Sequence, residues 1–422
     1  MDEENESANQ IPIWLDCDPG HDVGTCPDPT PSGDEMHSCS DSPVCTCASC
    51  RQPGLLDAFA ILLAAYHPRI KLLGVSTVFG NAPVGRTTSN AASILTAIGK
   101  HNEVSLYRGA AQALQRPAFH APDVHGESGL DGTDLLPEPQ CEPRPESAVE
   151  AMAQSIRAQP PGTAWIVATA ALTNVGSLLR KYPDIVAHIR GISLMGGSIG
   201  ANFSDAVMGM VDNKERVGNI SPWAEFNILI DPEAAAEIFH NEEVAEKTTI
   251  VPLDLSHQVL ATAQVRQLLL HGTDGNQEGS GKTILRRMLV ELLYFFAGTY
   301  ANVFGITPGP PLHDPIAVAA VLIGTADQIP FFEWDEKRSA APKHEERFQV
   351  TVITEGTFEE AQDGRTQTGR TVAKALPPGS KGVRIPRSLD VVKFWQVIEE
   401  CISRADERVA SLGEENPMNT VR

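Results

Sequence analysis

Basic residues are few in this sequence, and their shortage limits the partners that the protein can bind. The 422 residues include 33 lysines and arginines against 54 aspartates and glutamates, which gives a formal net charge of −21. Such a chain would repel the phosphates of nucleic acids and of anionic membrane surfaces. The charge would keep any protein soluble, but it also suits one that holds cations or neutral polar molecules. We therefore expect a small-molecule partner, with no nucleic acid and no membrane.

Long apolar runs are lacking as well. No stretch of the sequence approaches the roughly 20 consecutive apolar residues that a membrane-spanning helix needs. The first ten residues contain neither the basic nor the apolar region of a secretory signal, and their polar composition favours a disordered tail. These features lead us to expect a soluble, cytoplasmic protein.

Cysteine is scarce outside one short segment. Five of the eight cysteines lie between residues 23 and 56, whereas Cys17, Cys141 and Cys401 are scattered through the rest of the chain. A secreted, disulfide-stabilised domain would spread its cysteines through the fold. The segment 23–56 is also rich in Pro, Ser and Asp and has no helical or strand periodicity, so it differs from the chain around it.

Outside that segment, predicted strands alternate with predicted helices. Apolar runs predict strands at 11–15, 71–79, 164–168, 192–195, 248–253 and 348–354. Helical patterns begin at Asp57, where the helix should be amphipathic, and recur at 172–181, after Pro232, at 262–270 and 281–300, from Asp314 and at 389–403. This alternation predicts an α/β fold with a doubly wound, mostly parallel (mixed) sheet flanked by helices. We expect one domain over 11–405, between short tails at 1–10 and 406–422.

Polar residues gather where these predicted elements begin or end. They are Asp16, Asp18 and Asp22 after the first strand, Asp57 at the first helix, Gly80 and Asn81 after the second strand, Glu225 and Asn227, and His313 and Asp314. Glu225 and Asn227 should share one face of an extended segment, and Asp314 should be an N-cap before Pro315. Carboxylates brought together would repel one another unless a cation lay among them, and oxygen ligands suit Ca²⁺ or Mg²⁺. Taken singly, each could instead be a helix cap or turn residue.

The order of these motifs resembles that of the inosine–uridine preferring nucleoside hydrolase family. Asp-Cys-Asp-Pro-Gly-His-Asp at 16–22 and Asp-Ala-Phe-Ala-Ile-Leu-Leu-Ala at 57–64 resemble one family motif whose last two aspartates are adjacent. Further matching motifs follow at 80–81, 125–126, 130–132, 169–174, 195–198, 224–228 and 313–315. The resemblance implies hydrolysis of the N-glycosidic bond of ribonucleosides such as inosine or uridine to ribose and free base. It also implies nucleoside salvage and a homo-oligomer, either a dimer or a tetramer.

The resemblance gives each site residue a role by its position. Calcium would be held by Asp18, Asp57, Asp314 and the backbone carbonyl of Thr169, and Asp18 would take a proton from a calcium-bound water. The ribose would be bound by Asp22, Asn81, Asn219, Glu225 and Asn227, with Met195 lining the sugar pocket. The residue types suit the chemistry, because carboxylate and amide oxygens stabilise an oxocarbenium-like sugar.

Two histidines are candidates for contact with the departing base. His313 neighbours a proposed metal ligand and can be charged near neutral pH, so it is the candidate acid, although a histidine at a helix start can be purely structural. His125, in a glycine-rich loop, is a weaker candidate for the base pocket. Tyr300 could also contact the base, but an aromatic residue within a helix more often belongs to the core.

The segment 23–56 separates Asp22 from Asp57, which should be neighbours. Its cysteines could form a metal clip, or the segment could be a disordered lid. We favour a third interpretation, a retained intron translated in frame, because the segment interrupts a contiguous motif and begins Val-Gly, which a GT-starting splice donor could encode.

The split loop also raises alternatives for the function. If it cannot assemble the calcium site, the chain would be a catalytically impaired homologue that serves as a binding or assembly protein. A hydrolase of the same fold that acts on a modified ribosyl compound is a further alternative.

Overall fold

The computed structural model describes residues 10–20, 56–118, 133–211, 214–273, 279–333 and 345–415. Its strands are β1 (Ile11–Cys17), β2 (Ile70–Thr77), β3 (Leu106–Arg108), β4 (Trp165–Ala168), β5 (Gly191–Met195), β6 (Met210–Val211), β7 (Lys214–Glu215), β8 (Thr248–Val251), β9 (Phe331–Phe332), β10 (Phe348–Val352), β11 (Thr371–Ala375) and β12 (Ser388–Leu389). Its helices are α1 (Asp57–Tyr66), α2 (Val84–Ala97), α3 (Ala148–Arg157), α4 (Thr173–Lys181), α5 (Ile185–His188), α6 (Phe226–Ile230), α7 (Pro232–His240), α8 (Glu242–Glu246), α9 (Leu253–Ser256), α10 (Ala263–His271), α11 (Ile284–Phe304), α12 (Asp314–Ala320), α13 (Phe358–Gln362) and α14 (Val391–Glu415). None of these helices combines the length and apolar character needed to cross a membrane.

A six-stranded parallel sheet forms the centre of the molecule. Its strand order is β3-β2-β1-β4-β5-β8, and every neighbouring pair is parallel. Within the described ranges, antiparallel pairing occurs in three separate two-stranded ribbons, β6–β7, β9–β12 and β10–β11. The predicted doubly wound α/β fold is therefore confirmed.

Helices cover both faces of this sheet, and β1 shows how the sequence specifies that. Successive side chains of a strand point to opposite faces. Ile13 and Leu15 belong to one buried cluster, with residues of α1, α12 and α14, while Trp14 belongs to a second cluster with residues of α3, α4 and α7. A strand buried on both faces reads as a continuous apolar run, which is why β1 was predictable.

Helix α1 is buried on nearly all sides, so the expectation of an amphipathic helix is wrong. Every residue of α1 except Ala65 is buried, and the helix contacts α12 and α14 as well as β1 and β2. An apolar helix surrounded by other elements has no solvent face to make polar. This packing fixes Asp57, the first residue of α1, at the carboxyl-terminal edge of the sheet.

Close packing between β1 and β2 aligns the ends of these strands. The ring of Trp14 lies over Gly74, where a Cβ atom would come within 2.8 Å of the Trp14 Cζ3 atom. The Trp14 indole Nε1 donates to Ser76 Oγ at 2.8 Å, and Ser76 Oγ donates to Asp16 Oδ1 at 2.5 Å. These bonds hold the end of β1, which carries Asp16, in register with the end of β2.

Several elements of the structure were not predicted, and some predicted elements have different bounds. Helices α2 and α3 were not predicted from the sequence. Helix α14 continues to Glu415, past the expected domain end at residue 405, so residues 406–415 are helical.

Candidate active site

The candidate site lies at the carboxyl-terminal edge of the central sheet, where parallel strands present their following residues together. Asp18 follows β1, Asn81 follows β2, Thr169 follows β4 and Met195 ends β5. Asp314, the first residue of α12, meets them from the side of the neighbouring helix layer. Residues that are far apart in the sequence therefore face one small volume.

Three aspartates lie close together and out of contact with water. Asp18 and Asp57 are fully buried, and Asp314 is 6 % exposed. Burial raises the pKa of Asp18 and Asp314 well above the usual range, and the nearby charge of Asp57 raises both further. Burial also raises the pKa of Asp57, to about 7, against the lowering effect of the Thr169 hydroxyl and the Asp18 backbone N–H. Neighbouring carboxylates of this kind favour protons or another positive charge.

The hydrogen bonds of these aspartates show which oxygens are already engaged. The Asn81 backbone N–H donates to Asp18 Oδ2 at 2.8 Å, and its side-chain Nδ2 donates to Asp18 Oδ1 at 3.0 Å. Thr169 Oγ1 donates to Asp57 Oδ1 at 2.7 Å, whereas the buried Asp57 Oδ2 has no hydrogen-bond partner in the described part of the chain. One buried carboxylate oxygen is thus left for a ligand.

The oxygen atoms of these aspartates are the type of ligand that a hard cation prefers. The side chains supply only oxygen, Asp57 raises the pKa of both other aspartates, and Asp57 Oδ2 lacks a partner among the described residues. Within the described ranges, however, no group of three or more His, Cys, Asp or Glu side chains forms a ready-made metal site. The carboxylates are close enough to change one another's pKa but are not arranged as ligands of one ion, because charges interact over longer distances than coordination bonds span.

Glu225 and Asn227 lie beside the aspartates at the start of α6. The expectation that they share an extended segment is wrong, because Glu225 is the N-cap and Asn227 is in the first turn of the helix. Glu225 Oε1 accepts from the Asn227 backbone N–H at 2.9 Å, and Glu225 Oε2 accepts from the Gly197 N–H at 2.9 Å. Burial raises the pKa of Glu225 to about 7, and these N–H donors oppose the rise. The cap holds the carboxylate in a fixed direction.

Two asparagines near Glu225 are oriented by backbone groups. Asn227 Nδ2 donates to the carbonyl oxygens of Thr169 and Met195, each at 3.1 Å. Asn219 Oδ1 accepts from the Phe226 N–H at 2.9 Å. These bonds leave the Asn227 side-chain oxygen as an acceptor and the Asn219 side-chain nitrogen as a donor for a bound molecule.

His313 lies next to the aspartates, and the helix that follows it corrects one expectation. His313 is the N-cap residue of α12 and Asp314 is already helical, so Asp314 is not the N-cap. Burial, together with the nearby His257, lowers the pKa of His313 well below its usual value. Both effects favour the neutral ring over the charged one. Its Nε2 lies 2.6 Å from the Tyr300 hydroxyl and its Nδ1 lies 2.6 Å from Ser256 Oγ.

A cavity of about 20 Å³ lies among these residues. Its lining consists of Leu56, Asn81, Thr169, Met195, Asn219, Glu225, Phe226, Asn227, His313 and Asp314. Such a volume holds a water molecule or an ion, whereas organic ligands occupy roughly 300–1,000 Å³. Eight of the ten lining residues were named from the sequence, so the structure brings most of the expected site together.

Two of the residues expected at the site, Asp22 and His125, lie outside the described residues, as does 23–55 of the Cys-rich segment. Leu56 lines the cavity, and the fully buried Asp57 next to it raises the pKa of the buried Asp18. The two halves of the split motif therefore meet at the site.

Sequence reasoning missed Ser256 and the role of the Thr169 hydroxyl, and it discounted Tyr300 as a core residue. Ser256 ends the short helix α9, which follows β8. The signal used for the other residues, a polar residue after a buried parallel strand, could have found it. Tyr300 is fully buried as expected of a core residue, yet its hydroxyl contacts His313.

The family model described as "Inosine-uridine preferring nucleoside hydrolase" matches residues 52–396 of this chain. The chain belongs to the nucleoside hydrolase family. The match begins within the segment 23–56, so β1 and Asp18 precede it. This late start is expected if the segment divides the family's first aspartate motif, because the half of the motif before the segment then lies outside the match.

Individual relatives of this nucleoside hydrolase extend the comparison. It is 35 % identical over 406 residues to the "Uridine nucleosidase" of Saccharomyces cerevisiae, covering 95 % of this chain and 98 % of the relative. It is 32 % identical over 313 residues to a "Pyrimidine-specific ribonucleoside hydrolase" of Citrobacter koseri, covering 74 % and 79 % of the two chains. A solved "Purine-Preferring Ribonucleoside Hydrolase from Gardnerella vaginalis" shares the fold, with a TM-score of 0.64, 22 % identity and coverage of 93 % and 98 %.

These findings confirm the family resemblance and the class of activity. This nucleoside hydrolase is a glycosidase that hydrolyses the N-glycosidic bond of nucleosides, small polar substrates that suit an acidic protein.

Proposed function

We propose that this nucleoside hydrolase converts uridine and related ribonucleosides to ribose and free base with the help of a calcium ion. The observation that carries the proposal is the cavity at the carboxyl ends of the strands, where the carboxylates of Glu225 and Asp314 and three asparagine side chains converge. The preference for a pyrimidine base is supported by the two relatives named for uridine and for pyrimidine ribonucleosides.

Asp18, Asp57, Asp314 and the carbonyl of Thr169 would hold the calcium ion. When bound, it would offset the repulsion among the carboxylates, orient the attacking water and bind hydroxyls of the sugar. The partnerless Asp57 Oδ2 and the raised pKa values of the three aspartates support this assignment.

The side chains around the cavity match the hydroxyl groups of a ribose. Each hydroxyl donates one hydrogen bond and accepts others. Glu225 and the side-chain oxygen of Asn227 supply acceptors, and the side-chain nitrogen of Asn219 supplies a donor. Asn81 and Met195 complete this wall of the cavity, and Asp22 is expected to join it. Fixed acceptors near the sugar stabilise positive charge as the glycosidic bond breaks.

We assign Asp18 as the base that takes a proton from the attacking water. Its two oxygens are held by Asn81, so the carboxylate has a defined direction. Burial and Asp57 raise the pKa of Asp18, which makes its carboxylate a stronger base.

His313 remains our candidate for contact with the departing base, through its ring. The ring lines the cavity, and the hydroxyls of Tyr300 and Ser256 hold both of its nitrogens in place. His125 is expected to contact the base as well. A cytoplasmic location, a role in nucleoside salvage and homo-oligomeric assembly belong to the same proposal and are supported by the family resemblance.

Ribose release from uridine and inosine by the purified 422-residue protein tests the function. We expect release that needs calcium and stops with a calcium chelator, and an Asp18→Asn variant slower by about 10²- to 10⁴-fold. A second protein, lacking residues 23–56, should release ribose faster, because Asp22 would then directly precede Asp57, as in the family motif.

The outcomes separate the alternatives. Activity of the shortened protein alone would identify the full chain as a catalytically impaired homologue. No ribose release by either folded protein would refute the proposed substrate, and full activity in the chelator would refute the role of calcium.

A further inference from the structure

A second cavity, of about 750 Å³, lies at the opposite end of the central sheet. Its wall includes Ile11 of β1, Trp165 of β4 and Thr248 of β8, which are the first residues of their strands. The volume is within the range of roughly 300–1,000 Å³ typical of small-molecule sites. The seven residues of β1 span about 20 Å between the two ends of the sheet. The second cavity is therefore separate from the candidate active site.

The lining of this cavity is basic in a strongly acidic protein. It contains five cationic side chains, Arg69, Arg190, Lys247, Arg347 and Arg384, and two acidic ones, Glu246 and Glu345. The chain as a whole has a formal charge of −21. Positive charge is thus concentrated at this cavity, whereas the rest of the acidic surface would repel an anion.

The acidic partners do not neutralise this charge. Arg347 Nη1 and Arg384 Nε share a single carboxylate, Glu333, at 3.0 and 2.7 Å. Glu345 also pairs with Arg347, at 2.8 Å. Glu246 pairs with Lys381, a further cation, at 2.9 Å. Arg69 Nε pairs with Asp327, at 3.0 Å. With these partners counted, six cations face four carboxylates among the described residues.

Two of the cations have no carboxylate partner among the described residues. Lys247 Nζ donates to the carbonyl oxygens of Val186 at 2.6 Å and Ile189 at 3.2 Å, which are neutral. The exposed Arg190 guanidinium has neither a hydrogen bond nor an ion pair within the described part of the chain. Arg190 and Lys247 are therefore available to bind an anion.

We propose that this cavity binds a phosphomonoester of the size of a sugar phosphate or nucleoside monophosphate. A guanidinium binds phosphate through two parallel hydrogen bonds, and Arg190 is free to do so. Ile11, Pro12, Trp165 and Val321 supply an apolar wall for the organic part. Because the sheet separates the cavities, the anion binds without displacing the nucleoside.

Isothermal titration calorimetry of the full protein tests this proposal with inorganic phosphate, ribose 5-phosphate, uridine 5′-monophosphate and neutral ribose. We expect the phosphomonoesters to bind with a Kd that Arg190→Gln raises at least about ten-fold and that increases with salt. The matched control is Arg144→Gln, which removes an exposed arginine outside the cavity and should leave the Kd unchanged. Arg190→Gln should also leave uridine hydrolysis unchanged.

The ligand series identifies the source of the phosphate. Equal binding of inorganic phosphate and both esters would assign the cavity to free phosphate, whereas tighter binding of the esters would show that the apolar wall contributes. No binding of any phosphate at low salt would overturn the proposal. Equal affinity of Arg190→Gln and Arg144→Gln would overturn it as well, since the anion would then bind elsewhere.

Discussion

Replacing Thr169 by valine tests the calcium assignment while preserving the backbone carbonyl that we assign to the ion. The substitution keeps the side-chain shape but removes the hydroxyl that donates to Asp57 Oδ1 at 2.7 Å. Asp57 Oδ1 would then lose its hydroxyl donor, and Asp57 Oδ2 already has no partner among the described residues. The hydroxyl lowers the pKa of Asp57, so its loss should raise that pKa further and favour the protonated form.

The expected size of the effect follows from the type of bond. A hydrogen bond to a charged group contributes about 1.5–3 kcal/mol, which corresponds to roughly a 10- to 150-fold change in an equilibrium constant. We therefore expect Thr169→Val to raise the calcium concentration that gives half-maximal ribose release by an amount in this range. Activity at saturating calcium should fall much less, because the carbonyl of residue 169 is retained.

Thr173→Val is the matched control for this experiment. Thr173 is 2 % exposed, as Thr169 is, and its hydroxyl donates to the buried Asp231 at 2.5 Å, away from the site. Both variants should unfold at lower urea concentrations, but only Thr169→Val should change the calcium dependence. An unchanged half-saturating concentration in Thr169→Val would show that the hydroxyl is merely structural and that Asp57 does not hold calcium.

Three further predictions follow from the same structure. Gly80→Ala should reduce ribose release at least about 100-fold, because its Cβ would lie 2.0 Å from Asp18 Oδ2; Gly85→Ala, whose Cβ meets nothing within 4 Å, should retain activity. Calcium affinity, measured by titration from roughly pH 5.5 to 8, should rise with pH. The pKa values of the three aspartates are raised above the unfolded value of 3.8, so calcium must displace protons from the folded protein at the lower pH. For the same reason the cation-free protein should lose stability as the pH rises towards 7. A flat profile would contradict the assigned ligands. Arg286→Met should cost about 3–5 kcal/mol in urea unfolding, because it leaves the buried Glu399, paired at 3.0 Å, without its cation; a loss below about 1 kcal/mol would contradict this account.

Five of the six strands of the central sheet were predictable because burial leaves a simple signal, a short apolar run with polar residues where it ends. The edge strand β3 was not predicted, since it has only three residues and ends in an exposed arginine. Helix α2 was harder, since its sequence contains Thr, Ser, Asn and Gly, which have low helix propensity. Packing of its buried face, which includes Ile94 and Leu95, supplies the stability that propensity does not.

The sequence was enough to predict which residues form the candidate site, but not which of them carry a charge. Residue types and order indicate which side chains approach one another, and most of them line one cavity. The charge state of His313 depends instead on the degree of burial and on His257, whose ring centroid lies 5.6 Å away. The basic cavity was also hidden, because its arginines come from separate loops and each alone is an ordinary surface residue.

The meeting of Asp18 and Asp57 has a consequence for the evolution of the gene. Asp18 and Asp57 are both fully buried, and the charge of Asp57 raises the pKa of Asp18 because the two carboxylates are close. Contacts of α1 with β1, β2, α12 and α14 hold the second half of the motif beside the first. Because these contacts lie outside residues 23–55, we expect this point of the chain to accept coding sequence that enters or leaves the messenger RNA in frame. The same property would suit the insertion of a reporter domain.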